Sequence, residues 1–269
     1  MANYLPGTIC PLAGRNQINI LMIKEGITIH ISDTREAMGI AAAIATAETI
    51  RDTLGQQDEV NIVFAAAPSQ NEFLAALVKQ DVDWGRINAF HMDEYIGLPK
   101  DSKALFAYYL QTHLFNKVGF KTVNYINGNF ATPQFECSRY TALLKQHPVD
   151  IVCMGIGENS HIAFNDPPVA NFHDKDIVKI VKLDEDCRQQ QVNDGCFADI
   201  NSVPTHALTL TVPALLNCKY IFCIVPGERK ARAIFNTFNS SVGEEYPSTA
   251  LRMHKKVQLF LDKYSSSLL

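Results

Sequence analysis

Short apolar segments typical of buried strands alternate with helical patterns along most of this chain. The apolar segments are rich in Ile, Val and Phe, which predicts strands that are buried on both sides. They lie at 27–31, 60–65, 86–90, 123–126, 150–154, 207–212, 220–225 and 257–261. Helical patterns separate most of them, at 36–54, 69–79, 103–115, 134–146, 229–238 and 248–253. Strands that alternate with helices form a parallel sheet covered on both faces, so the sequence predicts an α/β fold with a doubly wound, mainly parallel sheet.

Nothing in the sequence divides the chain into separate units. No repeat, low-complexity tract or Gly/Ser-rich linker interrupts the alternation, and 269 residues with 47% hydrophobic side chains suffice for one large core. We therefore expect a single domain at 27–269, preceded by an N-terminal extension at 1–26.

Composition and charge argue against several classes of protein. The net charge is −4 and no run of Lys and Arg exceeds the pair at 255–256, so nothing here would follow a nucleic acid backbone. The apolar run at 18–23 is far shorter than the roughly 20 residues of a membrane span, and we expect neither membrane insertion nor export. Seven cysteines without a CxxC pair are typical of a reducing, cytoplasmic environment. Scattered histidines without an HxxxH motif predict no metal site.

Three loops that follow predicted strands carry side chains suited to chemistry. They are 65–70 (AAAPSQ), 91–99 (HMDEYIGLP) and 155–168 (GIGENSHIAFNDPP). Ligands of an open parallel sheet bind beyond the carboxyl ends of the strands, so all three loops are expected to face one crevice. Ser69 followed by Glu72 has the form of a capping box. This pattern predicts a helix start that binds an anion, or equally a serine that only caps its helix.

Acid and base groups occur in the second and third loops. Asp93 and Glu94 follow a strand, where partial desolvation would make one of them a general base, although solvated loop acids are the commoner alternative. In the third loop His161 lies within sequence reach of Glu158, Asn159 and Asp166. A histidine oriented by a carboxylate is a proton shuttle, but a structural histidine bonded to a backbone carbonyl explains the loop as well. These patterns alone leave both alternatives open.

Two of these loops resemble the signature segments of a known enzyme family. The stretches 91–99 and 155–167 are similar to those of the glucosamine-6-phosphate deaminase/isomerase family, which is related more distantly to the 6-phosphogluconolactonases. The similarity extends from about residue 27 to the end of the chain, and identifies 27–269 as a sugar-phosphate isomerase/deaminase-like domain. It includes 127–129 (NGN), 203–209 (VPTHALT), 227–230 (GERK) and 246–254 (YPSTALRMH).

The resemblance implies a reaction and a role for several residues. Family members convert an amino-sugar phosphate to a keto-sugar phosphate with release of ammonia, and they need no metal or organic cofactor. By resemblance Asp93 is the base that moves a proton between C2 and C1, and His161 assists ring opening. Asp166 takes the place of a glutamate that orients this histidine, and Lys230 that of a lysine that binds the substrate phosphate. Many relatives are oligomers, which implies a homo-oligomer here as well, although no interface is indicated by the sequence.

The sequence departs from the family pattern at several of these positions. Asn159 replaces an aspartate and Ser160 a glycine before the histidine, and Asp166 is one methylene shorter than the usual glutamate. An amide at 159 accepts a hydrogen bond from His161 but cannot stabilise an imidazolium by charge, so Glu158 is a candidate to compensate.

The phosphate-binding loop departs from the family pattern too. The stretch 66–70 (AAPSQ) replaces a Gly- and Thr-rich loop, which makes Ala67, Ser69 and Gln70 the candidate ligands of the phosphate. Arg188 is the basic residue nearest to the place of a phosphate-binding arginine.

These features leave three candidate functions. The leading one is a sugar-phosphate isomerase or deaminase that acts on a hexosamine 6-phosphate or a close relative. A sugar lactonase also uses a histidine in this loop, but the DEY and FNDP segments follow the deaminase pattern. A sugar or sugar-phosphate sensor would keep the fold and the pocket while the altered residues remove turnover. The sequence does not identify the sugar.

Overall fold

The computed structural model describes residues 20–167 and 169–269, and its main element is an eight-stranded sheet. In spatial order the strands are β1 (Ile20–Lys24), β2 (Ile27–Ser32), β11 (Val257–Asp262), β10 (Tyr220–Val225), β7 (Ile151–Met154), β3 (Val60–Phe64), β4 (Ile87–His91) and β6 (Thr122–Asn124). Neighbouring strands are parallel except for the hairpin of β1 and β2. The prediction of a mainly parallel α/β sheet is therefore confirmed.

Helices cover both faces of this sheet. They are α1 (Arg35–Leu54), α2 (Asn71–Leu77), α3 (Phe106–Leu110), α4 (Pro133–Gln146), α5 (Glu185–Asn193), α6 (Val212–Leu216) and α7 (Ala231–Asn239). A single π-helical turn, Gln111–Phe115, continues α3. The pattern of a helix across 103–115 is thus realised as two short pieces.

The strand residues alternate between two cores, as the period of two in a strand requires. Ile62 and Phe64 of β3 pack in one core together with apolar residues of α1, α2 and α3. Val63, between them, packs in the other core with residues of α4, α6 and α7. Because both sides of each central strand are buried, most positions of these strands are apolar instead of every second one. This near-continuous apolar run is the pattern by which the sequence predicted the strands.

A second sheet of three antiparallel strands was not predicted. It consists of β5 (Asp93–Tyr95), β9 (His206–Leu210) and β8 (Val178–Lys182), in that order. The apolar segment at 207–212 was assigned to the main sheet, and that assignment is wrong, because periodicity shows that a segment is extended but not which strand it pairs with. Asp93 itself lies at the start of β5, opposite Thr209 of β9.

The capping box predicted at Ser69 is also wrong. Residues Pro68–Gln70 form a 3₁₀ turn ahead of α2, and neither this turn nor α2 has a side-chain cap. Glu72 instead forms a bidentate ion pair with Arg35, at 3.0 and 2.9 Å. Pro68 is the first residue of this turn and has no N–H. The turn therefore begins with one N–H group fewer than a start capped by serine would have.

The main sheet begins before residue 27. Residues 20–24 of the predicted extension form β1, which pairs with β2 from Ile20 opposite Ile31 to Lys24 opposite Ile27. The rest of the predicted extension, 1–19, lies outside the described residues. Within 20–167 and 169–269, none of the helices combines the length and the apolar character needed to cross a membrane.

Gly128 is a position where the fold leaves no space for a side chain. A Cβ atom built there would lie 1.8 Å from the carbonyl oxygen of Tyr95 in β5. We expect Gly128→Ala to lower the free energy of unfolding by about 1–3 kcal/mol, since overpacking against backbone is relieved only by moving it. Urea unfolding followed by circular dichroism measures this change.

Gly119→Ala is the matched control for Gly128→Ala. A Cβ at Gly119 meets no atom within 4 Å, so the unfolding midpoint of the Gly119→Ala variant should stay near that of the wild type. Equal midpoints for the two variants would contradict the close approach of residue 128 to β5.

Candidate active site

One cavity lies where the loops after β3, β4 and β7 meet, as expected for an open parallel sheet. Among the sequence-predicted residues, it brings together Asp93, His161, Lys230 and three residues of the loop after β3. Its lining comprises Ala65, Ala66, Ala67, Ser69, Gln70, Met92, Asp93, Phe106, Gly155, Ile156, Gly157, His161, Ala163, Phe164, Gln190, Gln191 and Lys230. A carboxylate, an imidazole and an ammonium group therefore share one enclosure, which is a set of groups suited to proton transfer on an anionic substrate.

Asp93 reaches the cavity because β4 ends at His91 and the chain turns into β5. Its side chain is only 6% exposed. Burial, and then the nearby charge of Glu94, raise the pKa of Asp93 well above its ordinary value. A desolvated carboxylate of this kind is a stronger base than a solvated one.

Glu94 points away from the cavity and ties β5 to α3. Its carboxylate accepts hydrogen bonds from the N–H groups of Tyr95, Phe106 and Ala107, at 2.9, 3.1 and 2.9 Å. Burial raises the pKa of Glu94 to about 7 although these three bonds favour the charged form. Since α3 has no side-chain cap of its own, Glu94 supplies the acceptor for its first N–H groups and holds Phe106 at the cavity.

His161 is oriented by Asn159 and Asp166 together. Its Nδ1 lies 2.7 Å from Oδ1 of Asn159 and 3.0 Å from Oδ1 of Asp166. The amide nitrogen of Asn159 in turn donates to Asp166, at 3.1 Å. Both neighbours of Nδ1 are acceptors, so the hydrogen-bond network assigns the ring proton to Nδ1 and leaves Nε2 free to accept a proton.

Asp166 carries the negative charge of this group. It is fully buried. Burial alone would raise its pKa, but the interactions with His161, Asn159 and the N–H of Asp184 hold it below the ordinary value. The shorter side chain at 166 still contacts the histidine directly, so one charged acceptor remains at Nδ1 although position 159 is neutral.

The backbone of this loop is shaped around the histidine ring. Ser160 has a φ of 72°, in the left-handed region that favours glycine, so the serine there is held at a conformational cost. A Cβ at Gly157 would lie 2.2 to 2.4 Å from ring atoms of His161. The glycine at 157 is thus required because the imidazole packs flat against its backbone.

Thr209 links the loop of His161 to the strand of Asp93. Its hydroxyl accepts a hydrogen bond from the N–H of Phe164, at 3.1 Å, and Thr209 is the register partner of Asp93. Asn165 adds a second link, because its amide donates to the carbonyl of Leu210 at 2.9 Å. Strand β9 therefore sets the position of both loops.

Glu158 takes no part in the hydrogen bonds around His161. Its carboxylate pairs with Arg229 at 3.3 Å, and its N–H donates to Gln190 at 2.8 Å. It is also absent from the residues that line the cavity. The geometry assigns to Asp166 the compensating charge that was expected of Glu158.

The part of the cavity around Lys230 is suited to an anion. Lys230 follows Gly227 in a 3₁₀ turn before α7 and is only 7% exposed. Burial lowers the pKa of Lys230, and no carboxylate of residues 20–167 and 169–269 lies within ion-pair distance of its ammonium group. A buried cation of this kind gains most from an anionic ligand.

The loop after β3 supplies polar groups beside this lysine. The amide of Gln70 donates to Oγ of Ser69 at 3.1 Å and to the carbonyl of Ile224 at 3.2 Å. Oγ of Ser69 accepts one bond here, which leaves its O–H available to donate to a ligand, and Ala67 contributes extended backbone ahead of the turn.

Arg188 lies away from this part of the cavity, although the sequence suggested it as a phosphate ligand. Its guanidinium donates to the carbonyl groups of Ile200 and Val203 and is not part of the lining. The cavity instead receives Gln190 and Gln191 from α5. The sequence analysis did not identify these two glutamines because it did not predict α5. This helix is mostly polar and lacks the apolar periodicity by which a helix is recognised.

One group of residues has the composition of a metal site. A ligand atom from each of His161, Asp166 and Cys187 lies within 4.8 Å of the others. Cys187 is a buried free thiol on α5. The sequence predicted no metal site because Cys187 is separated in sequence from His161 and Asp166 and forms no recognisable ligand motif with them.

Comparisons with known proteins agree with this geometry. A family model described as glucosamine-6-phosphate isomerases/6-phosphogluconolactonase matches residues 33–260. A glucosamine-6-phosphate deaminase of Listeria innocua is 37% identical over 212 residues, which cover 78% of this chain and 88% of the relative. One of Streptococcus sanguinis is 32% identical over 222 residues, covering 82% and 92%.

Solved structures give the same result for the fold. A monomeric glucosamine-6-phosphate deaminase superposes with a TM-score of 0.81 at 28% identity, covering 92% of this chain and 100% of that one. The 6-phosphogluconolactonase of Thermotoga maritima superposes with a TM-score of 0.72 at 19% identity, covering 87% and 99%. At that identity the lactonase likeness concerns the fold alone.

Proposed function

We propose that this chain, which belongs to the family of glucosamine-6-phosphate isomerases and 6-phosphogluconolactonases, is a deaminase that converts an amino-sugar 6-phosphate to a keto-sugar phosphate and ammonia. The observation that carries the proposal is the cavity that joins Asp93, His161 and Lys230. The relatives that this chain matches over most of their length are named glucosamine-6-phosphate deaminase, which supports glucosamine 6-phosphate as the first substrate to test.

The substrate is anchored through its phosphate. Lys230 supplies the charge, while the hydroxyl of Ser69 and the amide of Gln191 are neutral donors that line the same cavity. A fixed phosphate holds the sugar carbons within the same cavity as Asp93 and His161. Positioning of this kind lowers the entropic cost of the reaction.

His161 opens the sugar ring in the first chemical step. Its free Nε2 accepts the proton of the C1 hydroxyl, the bond between C1 and the ring oxygen breaks, and the ring oxygen takes up a proton. Asp166 stabilises the imidazolium that forms transiently, since it holds Nδ1 at 3.0 Å. The product of this step is the open-chain aldehyde.

Asp93 then moves a proton from C2 to C1. The carboxylate removes the C2 proton while a proton passes from the substrate ammonium to the aldehyde oxygen, which gives an enolamine. The carboxylic acid then returns its proton to C1, which gives a C2 iminium. Water adds to the iminium carbon and ammonia leaves, so that the amino sugar and one water give the keto sugar and ammonia. The ammonium group of the substrate favours the ionised form of Asp93 and so counteracts the effect of burial.

Replacement of Asn159 by aspartate tests whether a charge is missing from this site. Because Asp166 already contacts Nδ1 of His161, and Asn159 donates to Asp166, we expect no gain in turnover from Asn159→Asp. The new carboxylate would face Asp166 with only the N–H at Nδ1 of His161 between them. This like-charge pair would disturb the orientation of the ring, so we expect kcat to fall by about tenfold. Steady-state release of ammonia measures the change, and a clear rise in kcat would contradict the role given to Asp166.

NMR in deuterated water tests the proposed function directly. Purified protein is incubated with a panel of hexosamine and hexose 6-phosphates, their unphosphorylated forms and a 6-phosphogluconolactone. Deuterium at the sugar carbons together with ammonium identifies a deaminase, exchange without ammonium an isomerase, and lactone hydrolysis alone a lactonase. Binding without any turnover would identify a sensor and overturn the proposal.

The place of action is proposed on the same basis as the reaction. The described cysteines are free thiols, which agrees with a reducing compartment. We therefore place the enzyme in the cytoplasm, where sugar phosphates are retained by their charge.

A further inference from the structure

A cluster of metal-binding atoms lies next to the ring of His161. One ligand atom from each of His161, Asp166 and Cys187 falls within 4.8 Å of the other two. Cys187 and Asp166 are almost completely buried, while His161 also borders the cavity. The cluster is thus reached from the cavity through the histidine.

The donor atoms of this cluster select one class of cation. Imidazole nitrogen, carboxylate oxygen and thiolate sulfur are the ligands that Zn²⁺ takes in proteins, usually four in tetrahedral arrangement. A sulfur ligand disfavours Mg²⁺ and Ca²⁺, which prefer oxygen. Oδ1 of Asn159, which lies 2.7 Å from Nδ1 of His161, or a water molecule completes the coordination.

We propose that His161, Asp166 and Cys187 form a Zn²⁺ site whose occupation reversibly inhibits the enzyme. The inhibition rests on the proposed function, whereas the binding of the metal does not. Binding releases the thiol proton of Cys187 to solvent and moves the ring proton of His161 from Nδ1 to Nε2, while no electron is transferred.

The shift of the ring proton explains why the metal inhibits. A histidine that is bound to Zn²⁺ through Nδ1 carries its proton on Nε2, so Nε2 donates and no longer accepts. His161 then cannot take the proton of the C1 hydroxyl. The carboxylate of Asp166 is occupied at the same time, and the imidazolium loses its counter-charge. Since a proton is released on binding, the affinity rises with pH.

Absorption spectroscopy with Co²⁺ tests the site without using activity. Tetrahedral Co²⁺ that is bound to a thiolate has charge-transfer and visible absorption bands. Zn²⁺ has no such bands, so the bands disappear when Zn²⁺ displaces Co²⁺. We expect these bands in the wild type, and expect Cys187→Ser to lose the charge-transfer band and to weaken Zn²⁺ binding by about tenfold or more. Cys196→Ser, in the same part of the chain but outside the cluster, should behave like the wild type.

Activity measurements test the inhibition. Zn²⁺ should inhibit ammonia release by the wild type, a chelator should restore it, and Cys187→Ser should be active and resistant to Zn²⁺. Cys187→Ala serves as a second variant if the serine form does not fold, as judged by circular dichroism.

Each outcome bears on one claim. Absence of a charge-transfer band in the wild type, or the same band in Cys187→Ser, would overturn the site. Binding that leaves turnover unchanged would overturn the inhibitory role. A metal-free protein without any turnover would count against the proposed function alone, because the Co²⁺ spectra still decide the metal site.

Discussion

Replacement of Asp93 by asparagine is expected to abolish exchange of the C2 proton with solvent and to lower kcat by about 10²–10⁴-fold. The amide has nearly the same size but does not accept a proton. Because the proposed phosphate ligands Ser69 and Lys230 are unchanged, the dissociation constant of the substrate should change little. Proton NMR in deuterated water measures the exchange, and isothermal titration measures the binding.

The matched control is Asp52→Asn, which removes an exposed carboxylate on α1. It carries the same change in net charge and should retain full exchange. If Asp93→Asn keeps wild-type exchange at C2, the base is another group and the proposed proton transfer is wrong. Loss of binding together with exchange would instead show that residue 93 is needed to shape the cavity.

Replacement of Asp166 by asparagine is expected to lower kcat by about 100-fold or more with cyclic substrate. The variant keeps a polar group beside Nδ1 of His161 but removes the charge that stabilises the imidazolium. An open-chain analogue of the substrate bypasses ring opening and should be turned over far better than the cyclic form. Steady-state kinetics with both substrates gives the ratio.

A merely structural role for Asp166 predicts a different result. Both substrates would then lose activity equally and the unfolding midpoint would fall with them. An equal loss for the cyclic and the open-chain substrate would therefore contradict the role of Asp166 in ring opening. Thermal unfolding of the variant separates the two explanations.

The main sheet could be predicted from the sequence because its strands are buried on both faces. Segments such as Tyr220–Val225 are apolar at almost every position, so their extended conformation and burial are both visible. The small sheet could not be predicted, because β5 is only three residues long and its partners come from distant parts of the chain. Pairing of short strands depends on tertiary packing rather than on local pattern.

The site was predictable where one loop contains all the parts. His161, Asn159 and Asp166 lie within eight positions, and the structure joins them by hydrogen bonds. It was not predictable where contacts cross the chain. Arg188 was selected because it is basic, yet its neighbours Gln190 and Gln191 face the cavity, and only the turn of α5 decides which side chains do so.

The proposed base and the proposed ring-opening histidine lie on separate layers of the molecule, Asp93 on the small sheet and His161 on a loop of the main one. Aromatic rings from the two layers pack against each other, with Tyr95 of β5 and Phe106 at 5.3 and 5.4 Å from Phe164 of the His161 loop. The distance between Asp93 and His161 is therefore set by the size of the side chains that pack the two layers together. Exchange of a ring for a smaller or larger side chain would adapt that distance to a different sugar while both reactive groups stay unchanged.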